Sequence, residues 1–311
     1  MITLSDLHDM FIARCESMNL SKRTIEDHYE NTFNRLEEFL RERGKPQKLD
    51  TLSTTTLRAF LAWRAKRVSA CSARHDFQTL RCLFNFLLTE EIISTNPMAK
   101  IIAPRQETKP RQVYSTDEIQ RLLKTCAGNT FVDLRDRAII ALLADTGLRA
   151  GELCGLAIDD VDLKRRCLTV RHAKGGKSRL VPFGQALTQP LRKYLLRRGD
   201  IDGETAFFVG IYGEQFRPRG LLSVIKRRGV AAGLDAKHCQ LHAFRRYSAV
   251  ESLRAGMSPF VLQRKLGHSS LTMVKHYCQL SDTDLAREQD IVSPGNRLLN
   301  TNKRTGRHIM R

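Results

Sequence analysis

Negative charge is what this chain of 311 residues has least of: 33 Asp and Glu stand against 52 Lys and Arg, a formal net charge of +19. The excess is spread along most of the chain, which points to a polyanionic partner, nucleic acid being the commonest. An acidic membrane surface competes for the same charge. No basic amphipathic helix stands beside a lipidation motif, so membrane ranks below DNA or RNA. No apolar run approaches the length of a membrane span. The opening "MITLSDLHDMFIARC" lacks the apolar core of a signal peptide. The eight cysteines (15, 71, 82, 126, 154, 167, 239, 278) form no C-x-x-C pair. That excludes the usual zinc spacing and suggests reduced, mostly buried thiols in a cytoplasmic protein. No carboxylate cluster suits Mg²⁺, so any chemistry is expected to be metal-free and without cofactor. Aromatics make up only 7%, but a 41% hydrophobic content is enough for ordinary cores, and the length allows two domains.

Residues 1–102 read as a run of helices. Ser21 can cap a helix with Ile25, Tyr29, Phe33, Leu36 and Leu40 at helical spacing, ending at Gly44 and Pro46. A second begins near Ser53 or Thr54 and buries Leu57, Phe60 and Leu61. A third covers roughly 70–90, with Phe77, Leu80, Leu83, Phe84 and Leu87 as core candidates. The other faces carry Lys22, Arg23, Arg35, Arg58, Arg64, Lys66, Arg67, Arg74 and Arg81. They either stand in solvent or grip a phosphate backbone. "APRQETKPRQV" (103–113) has the composition of a linker. A second domain, 114–290, opens on Ser115 and Glu118 at capping-box spacing, followed by an apolar helix over 131–144. "RCLTVRHA" and "RLVPF" alternate like strands around "KGGK", a tight hairpin whose tip carries Lys174 and Lys177. "TAFFV" (205–209) reads as another short strand. Helical patterns return over 219–290, and 291–311 form a polar, basic, mobile tail. The fold class is therefore mainly α with a small antiparallel β-sheet.

Several polar residues interrupt apolar stretches. Arg149 follows a glycine turn in "ALLADTGLRAGELCGL", with Glu152 one helical turn later. His242 and Arg245 share a helix face in "LHAFRRYSAV". His268 and Tyr277 lie in "LGHSSLTMVKHYCQL", whose Leu271, Val274 and Cys278 can face a core. Singly, each has a bland explanation: an Arg–Glu structural pair, a satisfied histidine, a core-edge tyrosine. Together they form a kit for a phosphodiester. Two guanidiniums can hold the non-bridging oxygens and stabilise a pentavalent transition state. A tyrosine can attack phosphorus once a base such as His242 takes its proton. A hairpin lysine can protonate the leaving deoxyribose oxygen. Arg246, Arg254, Arg264, Lys265, Lys275 and His276 are expected to line DNA or stand in solvent.

Four boxes in order, "TGLRAGEL", "HAKGGKSRLVP", "HAFRR" and "LGHSS", with a tyrosine nine residues after the last histidine, make the chain resemble the tyrosine recombinases of the phage integrase family, the Xer type included. The resemblance covers roughly residues 5–285. It implies a two-domain C-shaped clamp: a helical, SAM-like core-binding domain followed by the tyrosine recombinase catalytic domain. Site-specific recombination would proceed through a 3′-phosphotyrosyl intermediate and a Holliday junction, in a homo-tetramer on two double-stranded DNA sites. Either integration and excision of a mobile element or resolution of DNA dimers would be served, with an accessory directionality factor or a related recombinase as a possible helper. By position, Arg149 and Arg245 bind the scissile phosphate, and Lys174 is the general acid with Lys177 as runner-up. His242 assists proton transfer, His268 hydrogen-bonds the phosphate, Tyr277 is the nucleophile and Glu152 supports Arg149. A cytoplasmic, nucleoid-associated protein is expected, and because the helical module starts almost at residue 1, with no arm-binding domain expected before it, so are short recombination sites. The competing expectations are a non-catalytic DNA-binding protein of the same fold and a type IB topoisomerase-like strand cleaver.

Overall fold

The computed structural model describes residues 2–105, 113–171, 178–267 and 293–299, together with Ser270, Val274 and Gln289; of Arg23 and Arg297 it describes the backbone alone. The chain divides into two compact units, Met1–Pro110 and Arg111–Arg311.

The first unit is helical, and hydroxyl caps set its helix starts. Thr3 and Asp6 close a capping box on α1 (Leu4–Ser17). Ser21 caps α2 (Lys22–Thr24), which runs through a π-helical segment (Ile25–Glu30) into α3 (Asn31–Glu42). The wide turn leaves carbonyls short of partners, and nearby side chains supply them. Asn31 Nδ2 donates to the carbonyls of Glu26 and Asp27 at 3.0 and 3.2 Å, and Thr32 Oγ1 donates to that of His28 at 2.8 Å. Ser53 and Ser69 cap α4 (Thr54–Ala65) and α5 (Ala70–Thr89). The core gathers Leu7, Phe11, Phe33, Leu36, Leu40, Leu57, Phe60, Leu80, Leu83, Phe84 and Leu87. Each such side chain fully buried contributes roughly 1.5–3 kcal/mol.

One residue of these basic helix faces, Arg64, proves structural. Arg64 is buried and donates to Asp76 at 2.6 Å, and Asp76 also accepts from Thr32 Oγ1 at 3.0 Å. A guanidinium removed from water needs such a carboxylate. Arg58 and Arg81 remain exposed.

In the second unit the Ser115–Glu118 capping box opens α6 (Thr116–Lys124). Thr130 caps α7 (Phe131–Thr146), the apolar helix at the centre of this core. After α8 (Ala150–Cys154) comes a three-stranded antiparallel sheet, β1 (Val161–Asp162), β2 (Cys167–Val170) and β3 (Arg179–Pro182), in that order. The β2–β3 register pairs Val170 with Arg179, so the hairpin loop begins at Arg171. Helices α9 (Thr188–Arg198), α10 (Pro218–Ala231), α11 (Leu241–Arg254) and α12 (Pro259–Leu266) follow.

One sequence expectation is corrected. Residues 205–209 form no strand but only isolated bridges, Ala157 to Ala206 and Val209 to Gln215. Phe207, Phe208 and Val209 are apolar because they fill the core, which alternation alone cannot distinguish from a ladder. The tail holds a short helix, α13 (Pro294–Leu299), with proline at its start where a missing N–H costs nothing. Among the described residues no helix is long and apolar enough to cross a membrane.

Candidate active site

Helix α7 ends because Gly147 turns left-handed at φ 65°. A side chain there would also meet Leu266, its Cβ only 2.9 Å from Leu266 Cδ2. The turn delivers Arg149 to the N-cap of α8 and Glu152 to its first turn. Glu152 reaches back to accept from the Arg149 backbone N–H at 2.9 Å and from Arg149 Nη1 at 2.8 Å. The same carboxylate receives a two-pronged fork from Arg179, Nη1 to Oε1 at 2.9 Å and Nη2 to Oε2 at 2.8 Å. Burial alone would raise the Glu152 carboxyl. The Arg179 fork, the Arg149 N–H and the guanidinium charges outweigh it and hold the carboxyl at about 2.

Arg245, on the second turn of α11, is 1% exposed. It donates through Nη1 to the carbonyl of Gly147 at 2.9 Å and through Nη2 to that of Leu266 at 2.6 Å. One guanidinium thus joins the turn before Arg149 to the residue two before His268. His242 stands one helical turn earlier on α11 and is exposed. The structure therefore brings Arg149, Glu152 and Arg245 to one turn, with His242 on the helix that carries Arg245. Lys174, Lys177, His268 and Tyr277 lie outside the described residues. Their described neighbours are anchored. Arg171, at one foot of the hairpin, pairs with Asp160, and Arg179 at the other foot holds Glu152. Val274, three residues before Tyr277, is buried with Ala249, Leu262 and Leu266, as its position in the apolar pattern suggested. Among the described residues no three His, Cys, Asp or Glu side chains gather to hold a metal.

Two residues escaped sequence reasoning. Arg179 opens an apolar strand, which was the only sign that it had work inside the fold. Lys265 is corrected from a DNA-lining or solvated residue: its Nζ donates to the Asp145 carbonyl at 2.9 Å and to Ser252 Oγ at 3.3 Å. Burial lowers its pKa, against the opposing pull of Asp145. It pins the end of α12 to the end of α7, and nothing in the local sequence marks it.

Comparison with known proteins gives these likenesses. The phage integrase family profile matches residues 112–284, and that of the phage integrase N-terminal SAM-like domain matches residues 11–91. Tyrosine recombinase XerC 2 of Ralstonia nicotianae is 35% identical over 219 residues, 69% of this chain and 63% of that protein. The chain thus spans less than two thirds of that relative's length. Tyrosine recombinase XerD of Proteus mirabilis is 33% identical over 242 residues, 76% of this chain and 77% of that one. In fold, the chain is similar to a Tn1549 transposon integrase solved in complex with a circular intermediate DNA. The TM-score is 0.76 at 20% identity, covering 94% of this chain and 100% of that one.

Proposed function

The chain belongs to the phage integrase family, and from that premise we propose that it breaks and rejoins DNA at specific sites by passing strands through Tyr277. Its activity is that of a tyrosine site-specific recombinase. Arg149 and Arg245 hold the non-bridging oxygens of the scissile phosphate, and His268 adds a third contact. The Tyr277 hydroxyl, whose free pKa is about 10, gives its proton to His242 and attacks phosphorus. The bond to the 5′-oxygen breaks as Lys174 donates it a proton. A 3′-phosphotyrosyl link and a free 5′-hydroxyl result. The phosphodiester energy is retained, so a 5′-hydroxyl from the partner duplex can attack the link, release Tyr277 and seal a new strand. Two such exchanges through a Holliday junction complete recombination. The working assembly is a homo-tetramer on two double-stranded DNA sites in the cytoplasm, with an accessory factor setting direction.

The observation that carries this reading is the shared turn. Arg149 is bonded to Glu152 just after Gly147, and Arg245 donates to the carbonyls of Gly147 and Leu266, so two guanidiniums and the residues leading to His268 converge on that turn.

The test is covalent capture. The protein is mixed with DNA fragments flanking its own gene, nicked duplexes included, in EDTA, and then denatured in SDS. The expected result is DNA-linked protein that disappears in Tyr277→Phe. An adduct that survives the substitution removes Tyr277 as nucleophile. Binding without any adduct favours the non-catalytic DNA binder.

A further inference from the structure

Glu152 has one negative charge and two cationic partners, and that imbalance has a consequence for Arg149. Paired with Glu152 alone, Arg149 would sit in a neutral couple, and a phosphate would have to compete with a buried carboxylate for the guanidinium. Arg179 changes the sum. Its fork occupies both Glu152 oxygens, so the trio carries a net positive charge. The exposures agree: the side chains of Arg179 and Glu152 are 12% and 4% exposed, while that of Arg149 is 33% exposed and faces solvent. The buried partner of the carboxylate is Arg179, and the accessible cation is Arg149.

Arg179 also touches the two other pieces the reaction needs. It is the first residue of β3, two residues after Lys177, at the foot of the hairpin that carries Lys174. Its Nε donates to the Lys265 carbonyl at 3.1 Å. Gly267, the residue before His268, lies so close that a Cβ there would stand 3.1 Å from Arg179 Cδ, Cζ and Nε. One guanidinium therefore contacts the Arg149 turn, anchors the hairpin and borders the segment leading to His268.

We propose that Arg179 is a positioning residue for strand cleavage, neutralising Glu152 so that Arg149 meets the phosphate as an uncompensated cation, and fixing the hairpin foot against the turn before His268. The inference rests on the reading of Arg149 as a phosphate ligand and of Tyr277 as the nucleophile.

The test compares rates of covalent adduct formation on the same pool of nicked duplexes, at saturating protein, for the unsubstituted chain, Arg179→Met, Arg179→Lys and the double variant Arg179→Met/Glu152→Gln. Duplex affinity and thermal unfolding are measured alongside. Arg179→Met is expected to slow cleavage about 100-fold with affinity little changed, since misplacement of a reacting group by about 1 Å costs that much. Arg179→Lys keeps a cation but cannot form the fork, so a smaller loss is expected. The decisive result is rescue: removing the Glu152 charge in the Arg179→Met background should restore at least about tenfold of the rate, because Arg149 is released from the carboxylate. A merely structural Arg179 gives the opposite result, with the second substitution compounding the loss. Compounding, or an unchanged rate in Arg179→Met, overturns this inference. Should Arg179→Met not fold, Arg179→Gln with and without Glu152→Gln gives the same comparison, and a loss that Glu152→Gln does not reverse overturns it. If the unsubstituted chain forms no adduct dependent on Tyr277, the parent reading fails and takes this one with it.

Discussion

Glu152 gives the fold one acid limb of its stability. Its carboxyl is held at about 2, below its ordinary range, so the folded state favours the ionised form. A carboxyl depressed in the fold contributes stability that is complete above its unfolded value and lost as pH falls through the folded one. The contribution is about 3 kcal/mol, and it disappears between roughly pH 5 and pH 2. Glu152→Gln lacks this limb. In urea denaturation across that range, the substituted chain should be less stable near neutrality and its curve should converge on the parent's towards low pH. Parallel curves would mean that the carboxyl titrates normally. Gly267 makes a second demand at this scale. At φ 66° a side chain is strained by about 1–2 kcal/mol, and here it also presses on Arg179. Gly267→Ala should destabilise the second unit by at least that amount and slow cleavage as well. A stability loss with full cleavage would confine the glycine to a backbone role.

Between elements, the most consequential contact of the first unit is the Arg64–Asp76 pair joining α4 to α5. Removing one partner strands a buried charge, so Asp76→Ala should cost about 3–5 kcal/mol in denaturant unfolding, whereas the exposed Arg67–Glu42 pair should be worth under about 1 kcal/mol. Comparable losses at both sites would contradict the burial argument. The same pair shows where sequence reading stopped. Helix starts at Ser21, Ser53 and Ser115 were legible because a cap is a local event, settled by a hydroxyl and an N–H three residues away. The core positions of α4 and α5 were legible from their period. Arg64 was not, since its partner is 12 residues away on another helix and nothing in its surroundings separates it from Arg58. The π segment was invisible for a related reason: Asn31 and Thr32 look like ordinary helix residues until their side chains are seen on the carbonyls of residues 26–28. In the site, Arg149 and Glu152 were legible together because they share a turn. Arg179 joins them across 27 residues, and Lys265 reaches Asp145 across 120, beyond any local pattern.

Across the whole molecule the +19 charge sets how binding responds to salt. Each phosphate neutralised adds about −0.9 to the slope of log K against log salt. Arg81 is exposed on α5. Arg81→Ala should make that slope shallower by about 0.9 between about 50 and about 200 mM salt, with stability unchanged. An unaltered slope would return Arg81 to solvent. Charge acts over the entire chain, but the candidate active site has to be assembled from distant parts. Arg245 reaches the Gly147 carbonyl across 98 residues of sequence and the Leu266 carbonyl across 21 more. A polypeptide emerging from the ribosome therefore holds Arg149 and Glu152 long before it holds their partners. Until Leu266 is synthesised and free to fold back, the turn that presents Arg149 lacks its brace, and Tyr277 follows later still. The proposed site is in this way completed last: a chain released before Leu266 holds Arg149 and Glu152, but neither the brace on their turn nor Tyr277.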